Sequence, residues 1–368
     1  MRSVWSSLTR LQRGFVLAWI AWLVVPAVIA GFWLAAQQRN NADEMRRRDH
    51  ARMSATSVVE GRTEPDKTPP PGHENDVPIA VKVGIYVDHI ADVSIVRSAW
   101  KVDFFAWFTW QGDSPDPGET FRIVNGDIAA RALMRKSTTD RTNYSLYRLT
   151  AEITKNFNVS RFPLDEHLLT IAIEDQARQS YQLVWTADGE GANYSSRTAV
   201  PGYKIVGKQT VVKPHSYRTP MGDPALPDGF RATYSQYTFG LTLVRPSLGL
   251  FVKMFIGLYL SVILCLIGLL LRGGSERLGL ASTALFIALV NGLTIGGLTP
   301  DTGSATLGDE INNLGYLVIG QFILQAALYH GYFKPTEKAG RVFDVVTLVA
   351  TTVTYTGLNI VMIACGSA

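Results

Sequence analysis

Five apolar runs decide what this chain can fold into: Gly14 to Ala36, Phe251 to Leu271, Leu278 to Leu298, Leu314 to Tyr332 and Val342 to Cys365. Each is long enough to cross about 30 Å of hydrocarbon as a helix, the conformation in which a segment satisfies its own backbone polar groups. The 47% hydrophobic content of the 368 residues is ordinary on average, but it is concentrated in these runs. Between the first and the second lies a long polar region with the texture of strands. The pattern predicts an integral membrane protein with one soluble β domain inserted after its first span.

Basic residues in short loops set the expected orientation. Arg272 and Arg277 lie between the second and third runs, and Lys334, Lys338 and Arg341 between the fourth and fifth. The loop between the third and fourth has Asp301, Asp309 and Glu310 but no Lys or Arg. The first two loops are therefore expected in the cytoplasm, with the β domain periplasmic or extracellular, in a multi-pass protein of the cell membrane. Around the first run the charges oppose this: Arg39, Arg46, Arg47, Arg48 and Arg52 follow it, while Arg2, Arg10 and Arg13 precede it, although Asp43, Glu44 and Asp49 make the external run mixed. That run is either a membrane anchor or a signal segment, and its length of about 22 residues favours an uncleaved anchor. The expected division is 1–36 as this anchor or signal, 37–76 as a flexible linker carrying "TPPPG" with a short helix near Ala42 to Ala55, 77–245 as the β domain and 246–368 as four helical spans.

In "WKVDFFAWFTW", Trp100 to Trp110, the even positions form one apolar face and the odd positions, including Phe105 and Trp107, the other. Similar runs at Lys82 to Val87, Tyr147 to Ile153, Leu168 to Ile173, Tyr203 to Lys213 and Tyr234 to Val244, separated by Gly, Pro, Asp and Asn clusters, predict a β-sandwich of about ten strands. Both cysteines, Cys265 and Cys365, fall in predicted spans, so no disulfide is expected in the β domain. The six histidines have no metal-ligand spacing, and the chain lacks Gly-x-Ser-x-Gly and a phosphate-binding Gly loop. No metal, no cofactor, no nucleic-acid partner and no enzymatic activity are expected.

In the middle of the β region stands "RFPLDEHLLTIAIED". Pro163 sets its own φ, and Asp165 suits a tight turn feeding the alternation Leu169, Ile171, Ile173. A β-sandwich followed by four spans, with Phe162-Pro163-Leu164-Asp165 at its centre, resembles the pentameric ligand-gated ion channels, whose signature loop carries Phe-Pro-Phe-Asp. Lys155 and Leu169 stand where eukaryotic members have the two cysteines of that loop, so the resemblance is to the bacterial branch. It covers roughly Val77 to Ala368 and extends to "WKVDFFAWFTWQGD", to Arg245 before the second run, and to "SERLGLASTALFIALVNGLT" as the pore-lining helix. Gly257 stands where the family usually has a proline, and the tryptophan-proline pattern near Phe121 to Asn125 is missing.

The resemblance implies a homopentamer in a lipid bilayer, opened by a small molecule or a proton at subunit interfaces and passing monovalent cations. It implies pore-lining positions at Glu276, Gly279, Thr283, Phe286, Val290 and Leu293: a carboxylate ring at the inner mouth, a hydroxyl ring, and an apolar constriction that closes by dewetting. Periodicity alone does not choose that face, because Leu278, Leu285 and Leu289 make the others equally apolar. Aromatic ligand-binding positions are implied at Phe105, Trp107, Tyr181, Tyr217 and Phe230, and coupling positions at Phe162, Pro163, Asp165 and Arg245. The alternative is a nonconducting membrane sensor that retains the channel fold.

Overall fold

The alternation around Trp100 forms β2 (Ala99–Gln111), in which Trp100, Val102, Phe104, Ala106, Phe108 and Trp110 are all buried. It lies between β1 (Ile79–Ser94) and β5 (Thr142–Thr154), with β4 (Gly126–Thr139) outside β5 and β7 (Leu183–Ala187) outside β1. The short β8 (Asn193–Tyr194) also pairs with β1. A second sheet has the order β3 (Phe121–Ile123), β6 (Glu166–Asp175), β10 (Thr233–Val244), β9 (Lys204–Ser216). Phe108 of the first sheet meets Phe121 of the second with ring centres 5.2 Å apart, and the backbone N–H of Trp185 donates to Ser235 Oγ from one sheet to the other at 3.0 Å. The buried faces thus form a common core, where two such layers each hide their apolar side.

This computed structural model describes residues 9–57, 69–70, 72–217, 219–220, 222, 224, 226, 229–245, 249–271, 274–301, 303–332 and 338–367. Arg2, Arg272 and Lys334, used above for orientation, lie outside them, as does part of the stretch between Tyr217 and Phe230. The helices are α1 (Arg10–Met53), the single turn α2 (Pro117–Thr120), α3 (Gly249–Gly268), α4 (Gly274–Leu298), α5 (Leu307–Tyr332) and α6 (Lys338–Ser367). All except α2 are long and apolar enough to cross a membrane. The chain is that of a membrane protein whose sequence carries a two-sheet β domain between its first and second long helices.

By contacts the chain groups into a helical unit (Met1–Glu44, Asn158–Asp165, Ser247–Ala368) and a β unit (Met45–Phe157, Glu166–Pro246). These boundaries differ from those read in the sequence at two places. The first is α1, which does not stop at residue 36 but continues to Met53 through the expected linker. Residues 37–53 contain neither Gly nor Pro, so nothing in them breaks a helix. Tertiary contacts hold this extension: the Gln38 amide donates to Glu310 Oε2 at 2.9 Å, and in the β unit Lys213 Nζ donates to the Ala51 and Ser57 carbonyls at the helix end. Met53 lies against Gly240, which covers the outer side of β6 and β10. The second difference is the loop 158–165, which comes from between two strands and belongs by contact to the helices.

Within the helical unit, Trp19 Nε1 donates to Thr347 Oγ1 at 2.9 Å, and further along the same two helices Gly31 lies beside Leu358. Helices α1 and α6 therefore run parallel, as they must if both begin on one side of a membrane.

Candidate functional site

Helix α4 buries a narrow stripe made of Arg277, Ala281, Ala284, Ala288 and Ile295. Two residues along a helix turn it by about 200°, so the stripe Glu276, Gly279, Thr283, Phe286, Val290, Leu293 lies on the opposite side. Every member of that opposite stripe is exposed in the single chain, with Phe286 at 68% and Leu293 at 79%. The small alanines let neighbouring helices approach on the buried side. Asn291 donates to Asn312 Oδ1 at 3.0 Å, and the Tyr316 hydroxyl donates to the Ala288 carbonyl at 3.1 Å, which fixes the rotation of α4 against α5. Thr283 donates its hydroxyl proton to the Gly279 carbonyl at 3.1 Å. Its oxygen lone pairs then remain as acceptors, a chemistry that suits a cation rather than an anion.

Arg277 is the most heavily tied residue of α4. Its guanidinium makes two parallel bonds to Asp344, Nη1 to Oδ1 at 3.0 Å and Nη2 to Oδ2 at 2.8 Å, and lies 4.2 Å from the centre of the Tyr329 ring. It also donates to the carbonyls of Leu269 and Leu271 just beyond α3, while Gln325 of α5 donates to Asp344 Oδ1. This side chain of α4 thus engages groups at or beside three other helices. Because Arg277 is drawn inward, Glu276, about a fifth of a turn short of the opposite side, is exposed.

The loop 158–165 docks on helix ends. The Leu307 and Gly308 N–H groups at the start of α5 donate to the Ser160 and Phe162 carbonyls at 2.9 and 3.0 Å, and Arg161 donates twice to the Gly366 carbonyl at the end of α6. The loop therefore satisfies backbone groups that a helix end leaves without an internal partner. Phe162, Pro163 and Asp165 are buried in it. Arg245 belongs to the β unit, where its guanidinium lies 4.2 Å from the Tyr203 ring centre and donates to the Tyr203 hydroxyl at 2.6 Å.

The aromatic positions divide between the two sheets. Phe105 and Trp107 stand half-buried on the outer face of β2; Arg148 lies over the Phe105 ring at 5.9 Å, and the Trp107 indole donates to Asp188 Oδ2 at 3.0 Å. That indole lies flat over Gly84, where a Cβ atom would come within 2.2 Å of it, so only glycine fits. Tyr181 precedes β7 and lines a cavity of about 370 Å³ with Ser180, Val212, Lys213 and Ser235. Tyr217 follows β9, and Phe230, half-buried, precedes β10.

Tyr217 leads to a cluster that the sequence reading did not single out. Glu174 of β6 has a fully buried carboxylate: Oε2 accepts from the Tyr217 hydroxyl at 2.9 Å and from Arg122 at 3.3 Å, and Oε1 accepts from Gln236 at 2.8 Å and pairs with His215. Arg122 also donates to the Tyr217 oxygen at 2.7 Å. Burial pushes the Glu174 carboxyl up, but the bonds from His215, Tyr217 and Gln236 outweigh it and leave the group below the ordinary 4.5. Asp175 is likewise held down, its burial outweighed by Arg178 and Thr120. The signal in the sequence is the carboxylate pair Glu174-Asp175 directly after the apolar run Ile171 to Ile173. A depressed carboxylate contributes stability above its unfolded pKa and loses it as pH falls through the folded one. The β unit is therefore expected to melt at progressively lower temperature below about pH 4.5, and Glu174→Gln to flatten this dependence, as followed by near-ultraviolet circular dichroism.

Compared with known proteins, the chain matches no protein-family model and is similar to no curated protein at a significant level. Among the described residues, no cluster of His, Cys, Asp or Glu has the arrangement of a metal site.

Proposed function

We propose that this chain is the subunit of a homopentameric ion channel, with a β-sandwich outside the membrane and four helices per subunit, α3 to α6, forming the membrane domain. The observation that carries this reading is α4: one stripe is anchored within its own chain, and the opposite stripe, with Glu276, Thr283, Phe286, Val290 and Leu293, has the chemistry of a lumen. Five copies would turn it into rings: carboxylates at the inner mouth that concentrate cations, hydroxyl oxygens that accept a partly dehydrated ion, and an apolar gate above them. The exposed flank of Leu278, Leu285 and Leu289 is suited to cover by the neighbouring copy.

Opening is ascribed to a small molecule or a proton acting where neighbouring subunits meet, with Phe105 and Trp107 from one sheet and Tyr181, Tyr217 and Phe230 from the adjacent copy. Tyr217 supports a charge-sensitive trigger, since its hydroxyl is held by Glu174. The loop of Phe162, Pro163 and Asp165, together with Arg245, would carry the signal to the helices; in favour of this, a segment between two strands packs with α5 and α6.

The test is the purified protein in planar bilayers under a sodium chloride gradient. Wild type is expected to reverse close to the sodium equilibrium potential, and Glu276→Gln to reverse closer to zero. Current with unchanged selectivity in Glu276→Gln would move the filter elsewhere, and absence of current under every ligand and pH would favour the nonconducting sensor.

A further inference from the structure

A groove of about 690 Å³ runs between α1 and α6 in the helical unit. The two helices are held together at one end by Trp19, Phe343 and Thr347, with Val16, Leu23 and Tyr329 around them. Beyond Leu23 they leave a trough whose walls are Ala27, Val28 and Ala35 on α1 and Gly357, Val361 and Ala364 on α6, with Gly31 and Leu358 meeting within it. Its lining is apolar except for Thr354 and, at the end opposite Trp19, Arg39. Val24 to Arg39 spans about 22 Å at ~1.5 Å per residue, enough for one leaflet of hydrocarbon and its headgroup level. Arg39 is exposed, and its side chain has no hydrogen-bond or ion-pair partner among the described residues.

We infer that this groove holds one glycerophospholipid, with an acyl chain between Val28 and Val361 and the phosphodiester on the Arg39 guanidinium. The apolar walls exclude a polar ligand along most of the trough, because an unpaired polar group there has no hydrogen-bond partner. The cation stands at one end only, where a lipid carries its charge, and a guanidinium binds phosphate oxygens through a planar pair of donors. A peptide helix is too wide for a trough whose helices meet at Gly31 and Leu358, whereas an acyl chain is a single file of methylenes. The site depends on α1, a helix additional to the four assigned to the channel, and is independent of whether the pore conducts.

The experiment is native mass spectrometry of the full-length protein, delipidated in detergent and supplied with palmitoyl-oleoyl-phosphatidylglycerol or with the matched diacylglycerol, which lacks the phosphate. Wild type is expected to retain one phosphatidylglycerol per chain, about fivefold more strongly than diacylglycerol, the ratio for one basic residue near an anionic headgroup. Arg39→Gln should bring both lipids to the same level. Gly357→Leu places a side chain where glycine has open space before it and favours the helix, so it should fold while losing both lipids at least fivefold. Unchanged retention in Gly357→Leu would overturn the groove as the site, and equal retention of the two lipids by wild type would overturn the role of Arg39.

Discussion

Asp344→Ala is expected to cost the helical unit about 3–5 kcal/mol, enough to abolish a monodisperse protein in mild detergent, because it strands a buried guanidinium. In the native arrangement Arg277 is almost completely buried, and Asp344 supplies its counter-charge at 2.8 Å. The Leu269 and Leu271 carbonyls at the end of α3 favour a cation there but do not neutralise it. Arg277→Met is expected to be comparably harmful, since it takes from the carboxylate of Asp344 its paired guanidinium and leaves the Gln325 amide as a neutral donor. Replacing both together, Arg277→Met with Asp344→Leu, removes both charges and should be milder than either single change. Thermal melting of the detergent-solubilised protein, read by size-exclusion chromatography, provides the double-mutant cycle. Strictly additive losses would show that the pair does not act as a unit, and the rotation of α4 would then have to be held by Asn291 and Tyr316.

What could be read in advance followed from how strongly each segment is constrained on two sides. The Trp100 to Trp110 alternation was legible because every second residue meets the core while its neighbours do not. The long apolar helices were legible by length, since few other structures need twenty apolar residues in a row. Strand β4 was missed: Gly126–Thr139 buries no residue, and with Arg131, Arg135 and Lys136 along it there is no alternation to see. Such charges suit a sheet edge. A short helix near Ala42 to Ala55 was expected, but its continuity with the first apolar run was missed for a related reason. Residues 37–53 are as polar as a linker, and their helical state depends on partners distant in sequence, Glu310 and Lys213. The face of α4 was ambiguous by hydrophobicity, because leucines surround it; small size, not polarity, separates the buried Ala281, Ala284 and Ala288 from the exposed leucines. The Glu174 cluster draws Arg122, His215 and Gln236 from three other strands, so the local carboxylate pair marks its place but not its partners.

Phe286→Ser is expected to raise resting ion flux through the reconstituted protein by at least about tenfold. In the proposed ring, five Phe286 side chains make the widest apolar projection into the lumen, one turn above Thr283, and Val290 and Leu293 extend the dry segment. Water confined between such rings has no hydrogen-bond partners on the wall, so the column breaks and the ion faces the cost of shedding its hydration. Serine removes the phenyl volume and adds a hydroxyl that binds water, and each ~1.4 kcal/mol removed from the barrier is a factor of ten in rate. Because Phe286 faces away from the stripe that packs within its own chain, the substitution takes nothing from that packing, and an unaltered melting temperature should accompany the leak. Val290→Ser should act in the same direction with a smaller effect, whereas Ala284→Ser, on the buried side, should leave flux unchanged. This contrast is what gives the measurement its force: sodium flux into liposomes that rises for Phe286 and Val290 but not for Ala284 follows the helix face, while equal leak in all three would mean that the substitutions loosen the bundle and that ions do not pass along this stripe.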